Sequence, residues 1–374
     1  MRTWIRRISI AAAAVVLLLA VGAVSEGKSS SMMSQSAVQT ADMEVHFIDV
    51  GQGDATLIKC GDQAMLIDAG DGSKGTAVQN YLQKQGVKKL EYLILTHPDS
   101  DHIGAAPVII TKFEIDKVFM SDYEKDNSTY RKLIQALDEK RLSYATPEVG
   151  ESYPLGNAKF TILAPNREYQ SPNDASIAIL LENGENRFLF SGDAEEEAET
   201  DILGNGIPIS ADVYQVGHHG SRSSSSQDFL AAMQPSWAVI SCEEGNAYGH
   251  PHAQTLNMLR SMGVKVFRTD EQGSIIAYSD GTQITWNCAP SETWKAGEPT
   301  GSSASSAKEA VEEQKEEAPS AQPDYDSMEV HITKTGTKYH VAGCDSLNKS
   351  DITVTLGQAK AKGLEPCGKC NPPQ

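Results

Sequence analysis

The chain has 374 residues, 40% of them apolar, enough to bury one sizeable core and leave room for a smaller unit. Its formal net charge is −18. That balance excludes capture of nucleic acid by overall charge, so a polyphosphate substrate would have to be held by metal ions or a local basic patch.

Residues 1–25 read as an export signal. Arg2, Arg6 and Arg7 form a basic head, residues 8–24 are apolar, and small residues at Ala23 and Ser25 suit cleavage. The apolar run is near the shortest that can span a bilayer, so an uncleaved anchor is the rival reading. Both readings put the rest of the chain outside the cytoplasm, secreted or anchored on the outer face of the membrane. Residues 26–41 are Ser-rich and read as a spacer.

An ordered domain is expected over 42–287. Strands at 44–49 and 55–60 flank the loop Gly51-Gln52-Gly53-Asp54, and a strand at 63–67 ends in Asp68-Ala69-Gly70. Val78, Tyr81, Leu82 and Gln85 recur at helical spacing until Gly86. Residues 90–96 form a strand-like apolar run, and Pro98 lies just past it. Then comes His97-Pro98-Asp99-Ser100-Asp101-His102, with four metal-ligand side chains in six residues on a strand-end loop. Further on, 117–120 reads as a short strand, and Tyr130, Leu133, Ile134 and Leu137 mark a helix capped by Asn127 or Ser128. Strands at 159–163, 177–181 and 187–190 follow, the last two joined by Asn183-Gly184. Ser191-Gly192-Asp193 ends that hairpin before an acidic helix start at 194–197. A strand at 212–216 runs into His218-His219-Gly220-Ser221, and one at 237–241 precedes Tyr248-Gly249-His250-Pro251. A helix at 253–262 and strands near 264–268 and 275–278 complete the domain. Asp68, His97, Asp193, His218 and His250 each follow a strand, which points to one composite site at the strand ends.

Residues 288–326 lack periodicity and are rich in Ser, Ala, Pro and Glu, a disordered linker by composition. Residues 327–374 hold His340-x3-Cys344 and Cys367-x2-Cys370, two ligand pairs suited to a closed tetrahedral zinc site. A disulfide within that set is the alternative in an exported chain. Cys60 and Cys242 sit in apolar runs as buried thiols; the pairing of these two and Cys288 cannot be read.

The hexapeptide, with Asp68 before it and Gly192-Asp193 after it, resembles the metallo-β-lactamase fold. The ordered set Asp49-Val50-Gly51-Gln52-Gly53-Asp54-Ala55, Thr96 to His102, Asn173-Asp174-Ala175-Ser176, Ser191-Gly192-Asp193-Ala194, His218-His219-Gly220-Ser221 and Tyr248-Gly249-His250-Pro251 is similar to the hydrolase domain of ComEC-type competence proteins, over about 43–286. The membrane channel that carries that domain has no counterpart among the segments read here, which suggests a stand-alone exported relative.

The resemblance implies an α/β architecture: an αββα sandwich with metals at one edge, here followed by a small zinc-stabilised module. Carried over by position, His97 and Asp99 would serve one divalent cation, and Asp101, His102 and His218 the other. Asp193 would bridge them, and Asp68 would hold the ligand loop. Catalysis would fall to Asp101, Asp193, His219 and His250, and substrate contact to Gln52, Asp54, Asn173, Ser176 and Ser221. Two departures replace imidazole by oxygen: Asp99 stands where most of the fold has His, and the region of Asn173, Asp174 and Ser176 lacks a further His. Both shift preference from zinc towards manganese or magnesium and argue against antibiotic hydrolysis. The tail, through Lys338-Tyr339-His340, Cys344, Ala359 and Pro366-Cys367-x2-Cys370, resembles the small zinc-binding tails of some secreted bacterial nucleases and, distantly, the Ada-type zinc domain, which implies His340, Cys344, Cys367 and Cys370 as ligands of one structural zinc.

The function implied is an exported hydrolase that cleaves a phosphodiester, above all extracellular DNA, with water activated by two metal ions. Alternatives are another hydrolase on this scaffold, a phosphocholine esterase or lactonase, and a cell-wall or DNA-binding protein with a degenerate site. Cell-wall or membrane attachment stays open as a partner role, and no protein partner can be inferred.

Overall fold

The computed structural model describes residues 42–297, 329–347, 350–370 and 372. The expected signal, the whole spacer and most of the linker lie outside these residues. Among the described residues no helix is long and apolar enough to cross a membrane.

Two sheets lie face to face. In the first, β1 (Met43–Phe47), β2 (Thr56–Cys60) and β3 (Gln63–Ile67) form an antiparallel meander, and β4 (Lys89–Leu95), β5 (Glu114–Met120) and β6 (Tyr144–Ala145) continue it in parallel. The returning β14 (Ile275–Ser279) and β15 (Ile284–Trp286) extend its other side, giving the order β15-β14-β1-β2-β3-β4-β5-β6. The second sheet runs β13-β12-β11-β10-β9-β8-β7. Its parallel half is β10 (Asn186–Phe190), β11 (Val213–Gln215), β12 (Trp237–Ile240) and β13 (Lys265–Arg268). Its antiparallel half is β7 (Ser152–Leu155), β8 (Ala158–Ala164) and β9 (Ala178–Asn183).

The period-2 alternation of the strands divides their side chains between two cores. Ile58 pairs with Met65 and faces the second sheet, where Phe160, Phe188, Phe190 and Phe267 meet them. Neighbouring Leu57 pairs with Leu66 and faces outward. There α1 (Gly75–Lys84), α3 (Ala106–Lys112) and α4 (Ser128–Lys140) cover the sheet with Val78, Leu82, Ile109, Leu133 and Leu137. On the far side α5 (Glu196–Gly204), α6 (Gln227–Met233) and α7 (Ala253–Ser261) bring Ile202, Phe229, Leu230 and Leu256 onto the second sheet. The layers are therefore helix, sheet, sheet, helix, as the resemblance implied. Full burial of each such Leu or Phe contributes about 1.5–3 kcal/mol.

Local chemistry sets the ends of these elements. Asn127 accepts a hydrogen bond from Tyr130 N at 2.8 Å and caps α4. The β9–β10 turn is Gly184-Glu185, one residue later than expected, because Asn183 still pairs with Asn186. The one-turn helix α2 (Ser100–Ile103) begins within the hexapeptide itself. The tail builds a separate four-stranded sheet, β16 (Glu329–Ile332), β17 (Lys338–His340), β18 (Ile352–Thr355) and β19 (Glu365–Pro366), in the order β18-β16-β17-β19. A short helix α9 follows α8 (Thr269–Gln272) in chain order; it spans Leu356–Ala361 and packs Leu356 and Ala359 on Val330 and Tyr339.

Candidate metal centre

Every loop of the site leaves a strand at one edge of the sandwich. Asp68 follows β3, the hexapeptide follows β4, Asp193 follows β10, and His218-His219 follow β11. Backbone shape aims them: Asp68, His218 and His219 adopt left-handed φ of 54°, 50° and 55°, conformations that non-glycine residues keep only where the surroundings impose them. Gly53, at φ 131°, lets the β1–β2 loop lie on the hexapeptide; a Cβ there would meet Asp101 O at 2.3 Å.

Asp68 is the buried anchor. Its Oδ1 accepts from Thr96 N at 2.9 Å, and its Oδ2 accepts from Thr96 Oγ1 at 2.7 Å and from His102 Nδ1 at 2.8 Å. The Thr96 hydroxyl, its proton given to Asp68, accepts from His97 Nδ1 at 3.1 Å, with Ser176 Oγ 3.3 Å from the same nitrogen. His219 Nδ1 donates to Ser241 O at 3.0 Å. These bonds leave the Nε2 lone pairs of His97, His102 and His219 facing inward.

Asp193 sits where they converge. His102 Nε2 is 3.3 Å from its Oδ1; His97, His218 and His219 each place Nε2 3.7 Å from its Oδ2. His102 Nε2 and His219 Nε2 lie only 3.3 Å apart, and Asp101 Oδ2 is 3.4 Å from the latter. His97 Nε2, Asp193 Oδ1 and Asp54 Oδ1 are buried without a hydrogen-bond partner. Buried acceptors that converge without a hydrogen-bond partner suit a cation, and the imidazole and carboxylate donors are those of a divalent metal. The ligand atoms of Asp54, His102, Asp193 and His219 all lie within 4.8 Å of one another. The residues present thus fit the metal that the resemblance implies.

The carboxylates draw positive charge into the cluster, protons where no cation is held. Burial opposes charge on His219, yet Asp193, Asp101 and Asp54 raise its pKa to about 9. Burial likewise opposes charge on His102, and Asp193 and Asp68 raise it well above the imidazole range. His97, buried and beside His102, is lowered to about 4. Burial would raise Asp193, but His102, His219 and His218 hold it well below the carboxylate range.

The remaining candidate residues are distributed around this cluster. The grouping differs from the positional expectation in that His219, rather than His218, stands beside His102 and Asp101, and Asp54 joins them. His218 turns Nδ1 to Glu195 Oε1 at 3.2 Å, and Glu195 also accepts from Ser223 Oγ at 2.7 Å and Asn173 Nδ2 at 3.4 Å. Asp99 is half-buried and paired with Lys125 Nζ at 2.7 Å. Ser176 lies beneath His97 and accepts from Asp193 N at 3.1 Å, while Ser221 Oγ meets Ser223. Buried His250 stands 3.4 Å from Gln52 Nε2; burial and the neighbouring His219 and His218 lower it to about 2. Nothing in the sequence singles out Glu195 or Lys125. Glu195 sits in an acidic helix start and Lys125 in a polar loop, with no pattern to distinguish either.

In the tail, His340, Cys344, Cys367 and Cys370 are buried with their ligand atoms within 4.8 Å of one another, and the cysteines are free thiols. That group is able to hold a metal of its own.

A protein-family model described as the metallo-beta-lactamase superfamily matches residues 48–242. ComE operon protein 3 of Bacillus subtilis is 30% identical over 256 residues, covering 63% of this chain and 33% of its own length. Recombination protein 2 of Haemophilus influenzae is 32% identical over 238 residues, covering 62% of this chain and 28% of its own length. Competence protein ComA of Neisseria gonorrhoeae is 28% identical over 242 residues, covering 64% and 33% respectively. The chain thus spans about a third of the length of these curated relatives.

Proposed function

Because the chain belongs to the metallo-beta-lactamase superfamily, we propose that it is an exported metal-dependent phosphodiesterase that acts on extracellular DNA. The observation that carries this reading is the convergence of His97, His102 and His219 Nε2 on Asp193, with buried oxygens of Asp193 and Asp54 lacking partners. His97, Asp99 and Asp193 would hold one cation; Asp101, His102, His219 and Asp193, with Asp54 beside them, would hold the other. Such a pair, when bound, offsets phosphoryl charge and acidifies water at neutral pH. The relatives named as competence and recombination proteins support DNA as the polymer.

The chain's own residues do the positioning. Asp68, the Ser241 carbonyl and Thr96 fix the tautomers of His102, His219 and His97. His218, oriented by Glu195, presents Nε2 beside Asp193 and is placed to give a proton to the leaving oxygen. Neutral His250, backed by Gln52, is placed to donate a hydrogen bond to a phosphoryl oxygen. Asp99 and the missing third-motif imidazole favour manganese over zinc here. The four tail ligands would take one zinc, and the tail's slight excess of Lys over acidic residues would help it hold DNA. Export rests on the basic head and apolar run of residues 2–25.

The test is incubation of chelated, then reloaded protein with linear and circular DNA and with a small diester, across manganese, zinc and magnesium. Cleavage with manganese above zinc is expected, and Asp193→Ala should abolish it. No phosphodiester turnover with any of these cations would overturn the reading. Recovery of the chain only from the cytoplasmic fraction would overturn the export assignment.

A further inference from the structure

Four large apolar or aromatic side chains stand exposed among the described residues: Tyr144, Tyr248, Met262 and Ile352. Tyr248 alone of these stacks on a histidine of the centre. Its ring lies 5.5 Å from that of His250, at an interplanar angle of 21°, while the residue keeps 62% of its surface in solvent. His250 in turn meets His218 edge-on at 5.4 Å, so the stack leads inward to the cluster. Burial of the phenol and the charges of Asp101, Asp99 and Asp193 raise its pKa.

The exposure is built. Buried Asn246 accepts from Tyr248 N at 3.1 Å and from His250 N at 3.0 Å, and its Nδ2 donates to the carbonyls of Glu243 and His250 at 2.9 and 2.6 Å. A side-chain amide thus holds the loop from within, so the ring is presented on a fixed support. An exposed aromatic costs solvation unless something planar covers it, and a pre-positioned ring binds with little loss of conformational freedom.

We propose that Tyr248 is the stacking platform for a nucleobase adjoining the scissile phosphodiester. The assignment rests on the phosphodiesterase reading and narrows it to substrates that carry a base. It also fits the acidic surroundings, because stacking holds a nucleotide without adding charge and tolerates any base sequence.

The experiment uses the full chain with Tyr248→Ala and Tyr248→Phe. Three esters of p-nitrophenol compare the occupants: the thymidine 5′-phosphate diester, the methyl phosphate diester and the phosphorylcholine diester. Tyr248→Ala should raise the KM of the thymidine ester roughly ten- to hundredfold, the weight of one stacked base. It should leave the methyl ester within twofold, and Tyr248→Phe should behave as the parent throughout. Binding is read separately by anisotropy of labelled oligothymidylate in an Asp193→Ala background, where Tyr248→Ala should weaken Kd by a similar factor. An unchanged thymidine KM, or equal loss on thymidine and methyl esters, would overturn the platform and leave the diesterase standing. A selective loss on the phosphorylcholine ester would overturn it in favour of a quaternary ammonium. Tyr248-dependent oligonucleotide binding without turnover of any ester would keep the platform and sink the diesterase reading.

Discussion

Asp68→Asn changes one oxygen for one amide nitrogen at constant volume, and its effect can be followed proton by proton. Asn keeps an oxygen for Thr96 N, now 2.9 Å from Oδ1, and the Thr96 hydroxyl can turn from donating to accepting. His102 cannot adapt so simply. Its Nδ1–H, 2.8 Å from Oδ2, would face a second donor, so the proton must move to Nε2. There it points at Asp193 Oδ1 and His219 Nε2, both 3.3 Å away, into the space where a cation would be held. Losing such an orienting partner costs 10- to 100-fold in metal affinity, about 1.4–2.8 kcal/mol. The chelated protein should also lose stability: against the cost of burial, Asp193 and Asp68 raise His102 well above the imidazole range, so both ring nitrogens carry protons there and Asn forfeits a charge-assisted hydrogen bond, about 1.5–3 kcal/mol. Competition against a chromophoric chelator reads the first quantity, urea unfolding of the chelated protein reads the second, and nitrogen NMR of the imidazole reads the tautomer. Metal affinity within twofold of the parent, with His102 protonated at Nε2, would refute the argument.

Three further outcomes are expected. His219→Ala should remove more bound metal per chain than His218→Ala, measured by elemental analysis, because His219 adjoins His102 and Asp101 while His218 leans on Glu195; equal losses would return His218 to the ligand set. Cys367→Ser should lower the metal content of the tail without changing turnover of a small diester, checked by mass measurement under native conditions. Glu199 supplies the pH prediction. Burial raises it from 4.5 to about 7 despite hydrogen bonds from the Ser225 and Ser226 amides. A folded pKa above the unfolded one means that stability is complete below pH 4.5 and is lost as pH rises through 7, by roughly 3 kcal/mol. Glu199→Gln should remove that slope from unfolding curves taken between pH 5 and 8, and an unchanged slope would show that Glu199 does not cause it.

The αββα layering was readable because it depends on short apolar runs, Gly-bounded turns and ligand residues placed after strands. The edge strand Ser152–Leu155 was not, since Pro154 and a polar start hide it. Nor is the helix Ala106–Lys112 legible, its start marked only by Pro107 after two alanines. Within the site, Asp68 and Asp193 stand out because Asp68 follows a strand directly and Asp193 lies three residues past one, after Ser191-Gly192. The division of labour between His218 and His219 is not legible: both adjacent imidazoles reach Asp193 Oδ2 at 3.7 Å, and only the fold of the turn sets His219 beside His102 and Asp101 as well. Lys125 lies outside every motif and reaches Asp99 through tertiary structure alone.

The cluster takes Asp54, Asp68, His97 and His102 from loops of one sheet, and Asp193, His218 and His219 from loops of the other. A cation between them would rivet the seam of the sandwich as well as serve chemistry. Whatever binds the closed form and not the parted sheets adds its binding free energy to the folded state. A cell short of the metal would then face a shortage of folded protein as well as of activity, since strands at the unriveted edge would open to proteases first.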